Sequence, residues 1–279
     1  MHDLVPRAPL DPTPWHALRR HGRLWRRFVL QSLVRESHYR ANVIATFAVG
    51  LLQMAISLIP VLLMFGFTDD INGWSQAEVI ALSGMYQLAI AILWFGIETN
   101  MERISLYVRQ GDLDLILLRP VSALFYVTLR WVKPAEIFMI LSGLALTIVG
   151  LARAETTPDA GGILQSALLL GSGVVLITCV WTAIVMTAFW FTTTGPVSQV
   201  ASDLLQAGRY PLSFYPTAVR LFFAFIFPVG FVSTFPVEAL VGRGNWATTT
   251  TGVALAALAL FLLRAWWRFG VRFYSSASS

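Results

Sequence analysis

Lysine is nearly missing from this chain: Lys133 stands alone beside nineteen arginines. It lies in RWVKPAE, so there is no G-x-x-x-x-G-K-[ST] loop to cradle the phosphates of a nucleotide. Cysteine is down to Cys179, inside an apolar run; this excludes a disulfide within the chain and reads as a small core residue. The four histidines, His2, His16, His21 and His38, all lie near the N-terminus, none beside cysteines or acids at metal-ligand spacing. No histidine follows residue 38, so the apolar body of the chain can assemble no Ser–His–Asp set. Neither a metal site nor an enzyme is expected.

Charge is scarce as well. Only 13% of the residues are charged, against about 25% in soluble domains, while 56% are hydrophobic and the mean hydropathy is +0.67. This is the composition of a membrane protein. A pI of about 9.8 suits nucleic-acid binding only when a polar surface displays the charge. Here the arginines gather at the ends of apolar segments, where membrane-flanking charge belongs, and no nucleic-acid partner is expected.

Six apolar runs can each cross the roughly 30 Å of hydrocarbon that about 20 helical residues span. They are 41–68, 79–97, 137–152, 163–191, 221–237 and 246–263, the fourth ending in the turn-like TTTGP. Eight basic residues precede the first run, five lie between the second and third, two (Arg209 and Arg220) between the fourth and fifth, and three in the last stretch. The opposite side keeps only Arg153 and Arg243, so the positive-inside rule places both termini in the cytoplasm. The expected fold is therefore an all-α integral membrane protein of six transmembrane helices. No run carries a charge near its centre; Glu98, Glu136 and Glu238 sit at run ends, unlike the buried acids of ion-coupled carriers.

Residues 1–40 form the N-terminal part, residues 41–279 the membrane domain. Residues 1–14 carry four prolines and read as an irregular cytoplasmic tail, and the eight arginines of 1–40 break any early apolar region of a cleavable signal. In 15–34 one helical face gathers Trp15, Leu18, Trp25, Phe28, Val29 and Leu33, and the opposite face Arg19, Arg20, Arg23, Arg26 and Arg27. Such a helix lies in the membrane interface. It either anchors the first span or also meets a cytoplasmic partner.

The largest cytoplasmic loop, about 98–134, contains RQGDLDLILLRPVS at 109–122. The second helix extends past the membrane until Gly111 permits a sharp break. Asp112 is a suitable N-cap for a short helix through Leu118, which Pro120 ends, and Leu113, Ile116 and Leu117 give that helix an apolar face. On these residues alone it is either a bridge lying in the interface or a helix that docks into a cleft of a cytoplasmic protein.

RQGDLDLILLRPVS resembles the R-x-G-x-L-D-x-x-L-x-x-P segment of the type-2 ABC transporter permeases, in the branch of six-span subunits related to antibiotic and lipid exporters. RYPLSFYP at 209–216 resembles the motif of that branch before the fifth span, and RFYSSASS at 272–279 its C-terminus. The three stand in the expected order along nearly the whole chain. The resemblance implies a permease that pairs with a second permease chain, identical or paralogous, and docks onto two cytoplasmic ATPase subunits. ATP and Mg would be held by those subunits, with no cofactor in this chain. It further implies a bacterial plasma (inner) membrane location, a coupling region containing Glu102, Arg109, Gly111, Leu113, Asp114 and Pro120, and a second segment with Arg209, Tyr210, Pro211 and Tyr215 near the cytoplasmic face.

Small and polar residues follow one face of the first span (Thr46, Gly50, Gln53, Ser57, Pro60) and of the second (Ser83, Gln87, Ala91, Trp94). They serve helix packing or, through Gln53 and Gln87, line a substrate pathway. Pro228 in FIFPVGF is expected to kink the fifth span, for gating or for packing. The rival readings of the chain are a membrane scaffold or sensor subunit without transport, and a carrier driven by an ion gradient.

Overall fold

The computed structural model describes residues 14–37, 40–119, 121–190 and 195–273. Pro120, the tail 1–13, and the 272–279 motif beyond Phe273 therefore lie outside the described residues. Helix α1 (Pro14–Ser37) precedes α2 (Arg40–Met64). A hairpin of β1 (Asp70–Ile71) and β2 (Trp74–Ser75) then turns the chain, pairing Asp70 with Ser75 and Ile71 with Trp74. Asn72 and Gly73 both take positive φ, 52° and 81°, as a two-residue hairpin of this hand requires.

Helix α3 (Gln76–Gly96) begins on a capping box: the Ser75 hydroxyl accepts from Glu78 N, and the Glu78 carboxylate accepts from Ser75 N. After a break at Ile97 it continues as α4 (Glu98–Gln110), making a 35-residue apolar run, Gln76–Gln110. At about 1.5 Å per residue this rod measures about 50 Å, so about 20 Å of it stands clear of a bilayer's hydrocarbon core. The short helices α5 (Asp112–Leu117) and α6 (Ala123–Leu129) cap its end. The chain returns through α7 (Ile137–Arg153) and α8 (Ala160–Val185), the latter N-capped by Asp159, whose carboxylate accepts from Gly162 N. Helix α9 (Gly195–Leu205) follows, then α10 (Thr217–Leu221), α11 (Thr234–Leu240) and α12 (Trp246–Phe273).

Among the described residues five helices are long and apolar enough to cross a membrane: Ile44–Met64, Gln76–Gln110, Pro134–Arg153, Ala160–Phe189 and Trp246–Phe273. They match five of the six expected runs. The α3 rod is the central pillar, with 72% of its most apolar window buried against 6% for α2, which leans on the bundle from outside.

The run 221–237 is not a straight span. Thr217–Ile226 and Val229–Leu240 meet at a 74° bend. A π turn over Phe222–Ile226 and Pro228, with no N–H to donate, end the first piece. Both ends of this stretch meet the same hairpin: Asn72 Nδ2 donates to Ser213 O at 3.2 Å, and Arg243 Nη1 donates to Gly73 O at 2.6 Å. Arg243 also pairs with Glu78 at 3.2 Å and covers the Trp74 ring at 4.5 Å. Residues 213–243 thus leave one end of the bundle and return to it, which corrects the expectation of a crossing at 221–237.

Glycine sets the closest helix contact. A Cβ on Gly84 of α3 would stand 2.3 Å from Thr147 N of α7, one on Gly143 2.5 Å from Leu88 N, and one on Gly150 2.3 Å from Ala81 N. Missing side chains let the two backbones touch, the usual way membrane helices gain packing without hydrophobic drive. Gly150→Ala is therefore expected to destabilise the fold by about 1–3 kcal/mol, since only backbone faces the new methyl. Thermal unfolding in detergent checks this, with Gly171→Ala, which meets nothing within 4 Å, as the neutral control.

Candidate functional site

The end of the rod is shaped by Gly111. Its φ of 77° is left-handed, so it closes α4 and at once opens α5. Asp112 consequently becomes the first residue of α5 rather than its cap, and no side-chain cap bond forms. Leu113 and Ile116 turn inward and are buried, 2% and 4% exposed, in the large core cluster with Ile104 and Val127. The opposite face presents Leu115 and Leu118, 63% and 69% exposed, with Asp112 and Arg119 beside them. Asp114 is half-buried; Glu102 and Arg109 are exposed along α4. Apart from Pro120, the coupling residues named from the sequence thus gather in one place. Leu113 seats the short helix, and the accessible apolar contacts are Leu115 and Leu118.

A buried asparagine holds this end together. Asn100 is fully buried at the start of α4; its Nδ2 donates to Gly96 O at 2.8 Å and Trp131 O at 2.7 Å, and its Oδ1 accepts from Trp131 N at 2.8 Å. The chain returning from α6 is stapled to the α3–α4 junction, and Lys133 N adds a bond to Phe95 O at 2.8 Å. Trp131 Nε1 donates to Tyr107 Oη at 2.8 Å, and Lys133 pairs with Glu98.

Helix α1 packs on the same assembly along His21, Phe28 and the fully buried Ser32, while Trp25 and Leu33 of its apolar face stay exposed. Phe28 meets Tyr126 at 5.8 Å and His21 meets Phe125 at 4.6 Å between ring centroids. Glu36 accepts from Ala135 N at 2.9 Å, tying α1 to the foot of α7. Burial pushes the Glu36 carboxyl above its usual range, and the Ala135 N–H with the nearby Arg35 and Lys133 charges offsets this only in part.

The second sequence segment lies elsewhere. Arg209 covers the ring of Tyr86, midway along α3, at 5.7 Å, and its Nε is buried without a hydrogen-bond partner among the described residues. Tyr210 packs in the cluster of Phe65, Trp74 and Val79 near the hairpin, Pro211 is buried, and Tyr215 Oη donates to Ala207 O at 2.9 Å. Since Ser213 reaches Asn72, the segment runs from mid-bundle to the end opposite α5. The structure does not bring it together with the coupling region: Gly208 and Leu212 are pinned to Ser233 and Thr234. Gln53 is exposed on α2 and Gln87 half-buried on α3. Among the described residues no group of three His, Cys, Asp or Glu could hold a metal ion.

A family model described as ABC-2 family transporter protein matches residues 51–278. No curated protein and no solved structure matches significantly.

Asn100, Leu115 and Leu118 escaped sequence reading. The two leucines carry a signal, the i, i+3 spacing opposite the buried face; Asn100 carries none, because the Trp131 backbone it bonds lies 31 residues away. Asn100→Ala strands Trp131 N and two carbonyls, with an expected cost of at least about 2 kcal/mol. Limited proteolysis should then cut within 111–133 much faster than in the parent; an unchanged pattern would show that the staple is dispensable.

Proposed function

The chain belongs to the ABC-2 transporter family, and from that premise we propose that it is the permease subunit of an ATP-driven exporter whose α5 takes the push of a separate ATPase. It is a multi-pass membrane protein and, like its family, a permease rather than an ATPase. The observation that carries the proposal is the seating of α5: a short helix at the exposed end of a 35-residue rod, its inner face locked in the core and Leu115 and Leu118 turned out. Such a face offers two apolar anchors ringed by charge, the pattern of a contact that concentrates binding energy in a few residues.

In this reading two ATPase subunits, holding ATP and Mg, act on two permease chains, identical or paralogous, in a bacterial plasma (inner) membrane. Both termini are cytoplasmic. The fifth of six crossings is 195–213, and 213–243 dips in from the outer side. Sixteen basic residues then lie inside and three outside, with Arg209 left against Tyr86 within the crossing. Closure of the ATPases on nucleotide presses α5. Glu102, Arg109 and Asp114 set the charge around that contact, and the α3–α4 rod carries the displacement to α7 through their shared glycines. Nucleotide thereby biases the bundle between inward- and outward-open states. Gln53, polar yet exposed on α2, meets the second permease chain, where it and Gln87 edge the pathway.

The double variant Leu115→Glu/Leu118→Glu tests the reading. Both side chains are exposed, so thermal stability should be unchanged. Recovery of the ATP-hydrolysing subunit with the tagged chain from native membranes should fall at least about 30-fold, as expected when an anchor of about 2 kcal/mol is lost. Full recovery together with unaltered transport would refute the docking role of α5.

A further inference from the structure

Three guanidinium groups converge on one ring. Arg103 lies 3.9 Å from the centroid of Trp131, and Arg35 and Arg130 each lie 4.9 Å from it. They come from three separate elements: α1, α4 and the end of α6. Arg130 is also covered by Phe28 at 4.7 Å, so it is held between two rings, and Arg35 donates to Ser32 Oγ and Val132 O. An indole face attracts a cation, but a single ring cannot balance three like charges crowded together.

Among the described residues none of the three is in an ion pair with a carboxylate; Glu98 pairs with Lys133 and Glu78 with Arg243. The Glu36 carboxylate stands close to Arg35 but accepts from Ala135 N, Glu136 is buried beside Lys133, and Glu102, next to Arg103, is exposed. The cage stands at the foot of the span Pro134–Arg153, where interfacial tryptophans anchor. Nearby, Leu30 and Leu33 of α1 and Ile137 and Phe138 of α7 are exposed apolar side chains. Cation plus apolar apron at this depth is complementary to a phosphate with acyl chains.

We propose that Arg35, Arg103 and Arg130 around Trp131 bind the phosphate of an anionic phospholipid of the cytoplasmic leaflet. The phosphate accepts from the three guanidinium groups at once and fastens α1 to α4, so it stiffens the element on which α5 is mounted. The naming of the leaflet rests on the orientation proposed above; the anion site itself does not, and vesicles with the same lipid in both leaflets test the site independently of orientation.

The purified full-length chain is reconstituted in phosphatidylcholine vesicles with and without phosphatidylglycerol, and its thermal unfolding followed. Phosphatidylglycerol should raise the midpoint by about 3 °C or more, the usual response to a ligand that binds only the folded state. Arg103→Gln/Arg130→Gln should abolish the difference between the two lipids. Arg103→Lys/Arg130→Lys should keep it, as should Arg264→Gln/Arg268→Gln on α12, which removes interfacial charge elsewhere. Equal midpoints in both lipids for the parent chain, or a glutamine variant that keeps the full difference, would overturn the proposal. So would an equal shift from soluble glycerol phosphate, which marks a free-phosphate site. Loss of the ATPase partner from the glutamine variant with the lipid response intact would assign the cage to a protein contact instead. Should the glutamine variant not fold, intact-mass measurement of the parent decides: retained phosphatidylglycerol in preference to phosphatidylcholine supports the site, and equal retention overturns it.

Discussion

Everything in this molecule is referred to one helix that is longer than a membrane is thick. The Gln76–Gln110 rod is buried over most of its apolar window, and its two ends do different work. The capping box at Ser75 and Glu78 starts it, and the same Glu78 holds Arg243, so the hairpin, the rod and the α11–α12 turn share one fastening. At mid-length its glycine and alanine face meets α7 backbone to backbone. At the far end Asn100 and Gly111 fold the projecting helix back into α5, α6 and the strand that re-enters α7.

In the proposed function that geometry makes a transmission element out of ordinary packing. Helix α5 cannot move alone, because Leu113 and Ile116 sit in the same core cluster as Ile104 of α4 and Val127 of α6. Nor can the return chain, because Trp131 is bonded through both of its backbone groups to Asn100. A force applied at Leu115 and Leu118 therefore acts on the rod as a whole, and the close-packed glycine contact passes it to α7. Packed interfaces of this kind shift between discrete arrangements rather than bend continuously. The loosely packed α2 has only 6% of its window buried, and in the proposed assembly it is the surface that meets a second chain.

The long apolar helices were legible in the sequence, since about 20 uncharged residues can do little else in a chain of this composition. The short helix after Gly111 was legible too, because glycine and acids mark a break and a restart; its cap was misplaced by one residue because the left-handed Gly111 serves both helices. The stretch 221–237 misled for a physical reason: apolar composition is the same whether a segment crosses or dips and returns. What distinguishes the two is contact with Asn72 and Gly73, 141 and 170 residues away in the chain. Arg209 misled similarly, since an arginine normally marks the end of a span, whereas here the Tyr86 ring receives it midway along α3.

For a push on α5 to reach the membrane bundle, the rod and α7 must move as one body. Double electron–electron resonance between spin labels at the exposed Leu106 of α4 and Leu141 of α7 measures this in the assembled transporter. The account predicts one narrow distance that is the same without nucleotide and with ATP and vanadate trapped. A distance that shifts or broadens on trapping would mean that the helix yields at Ile97, and that a push on α5 does not reach the membrane bundle.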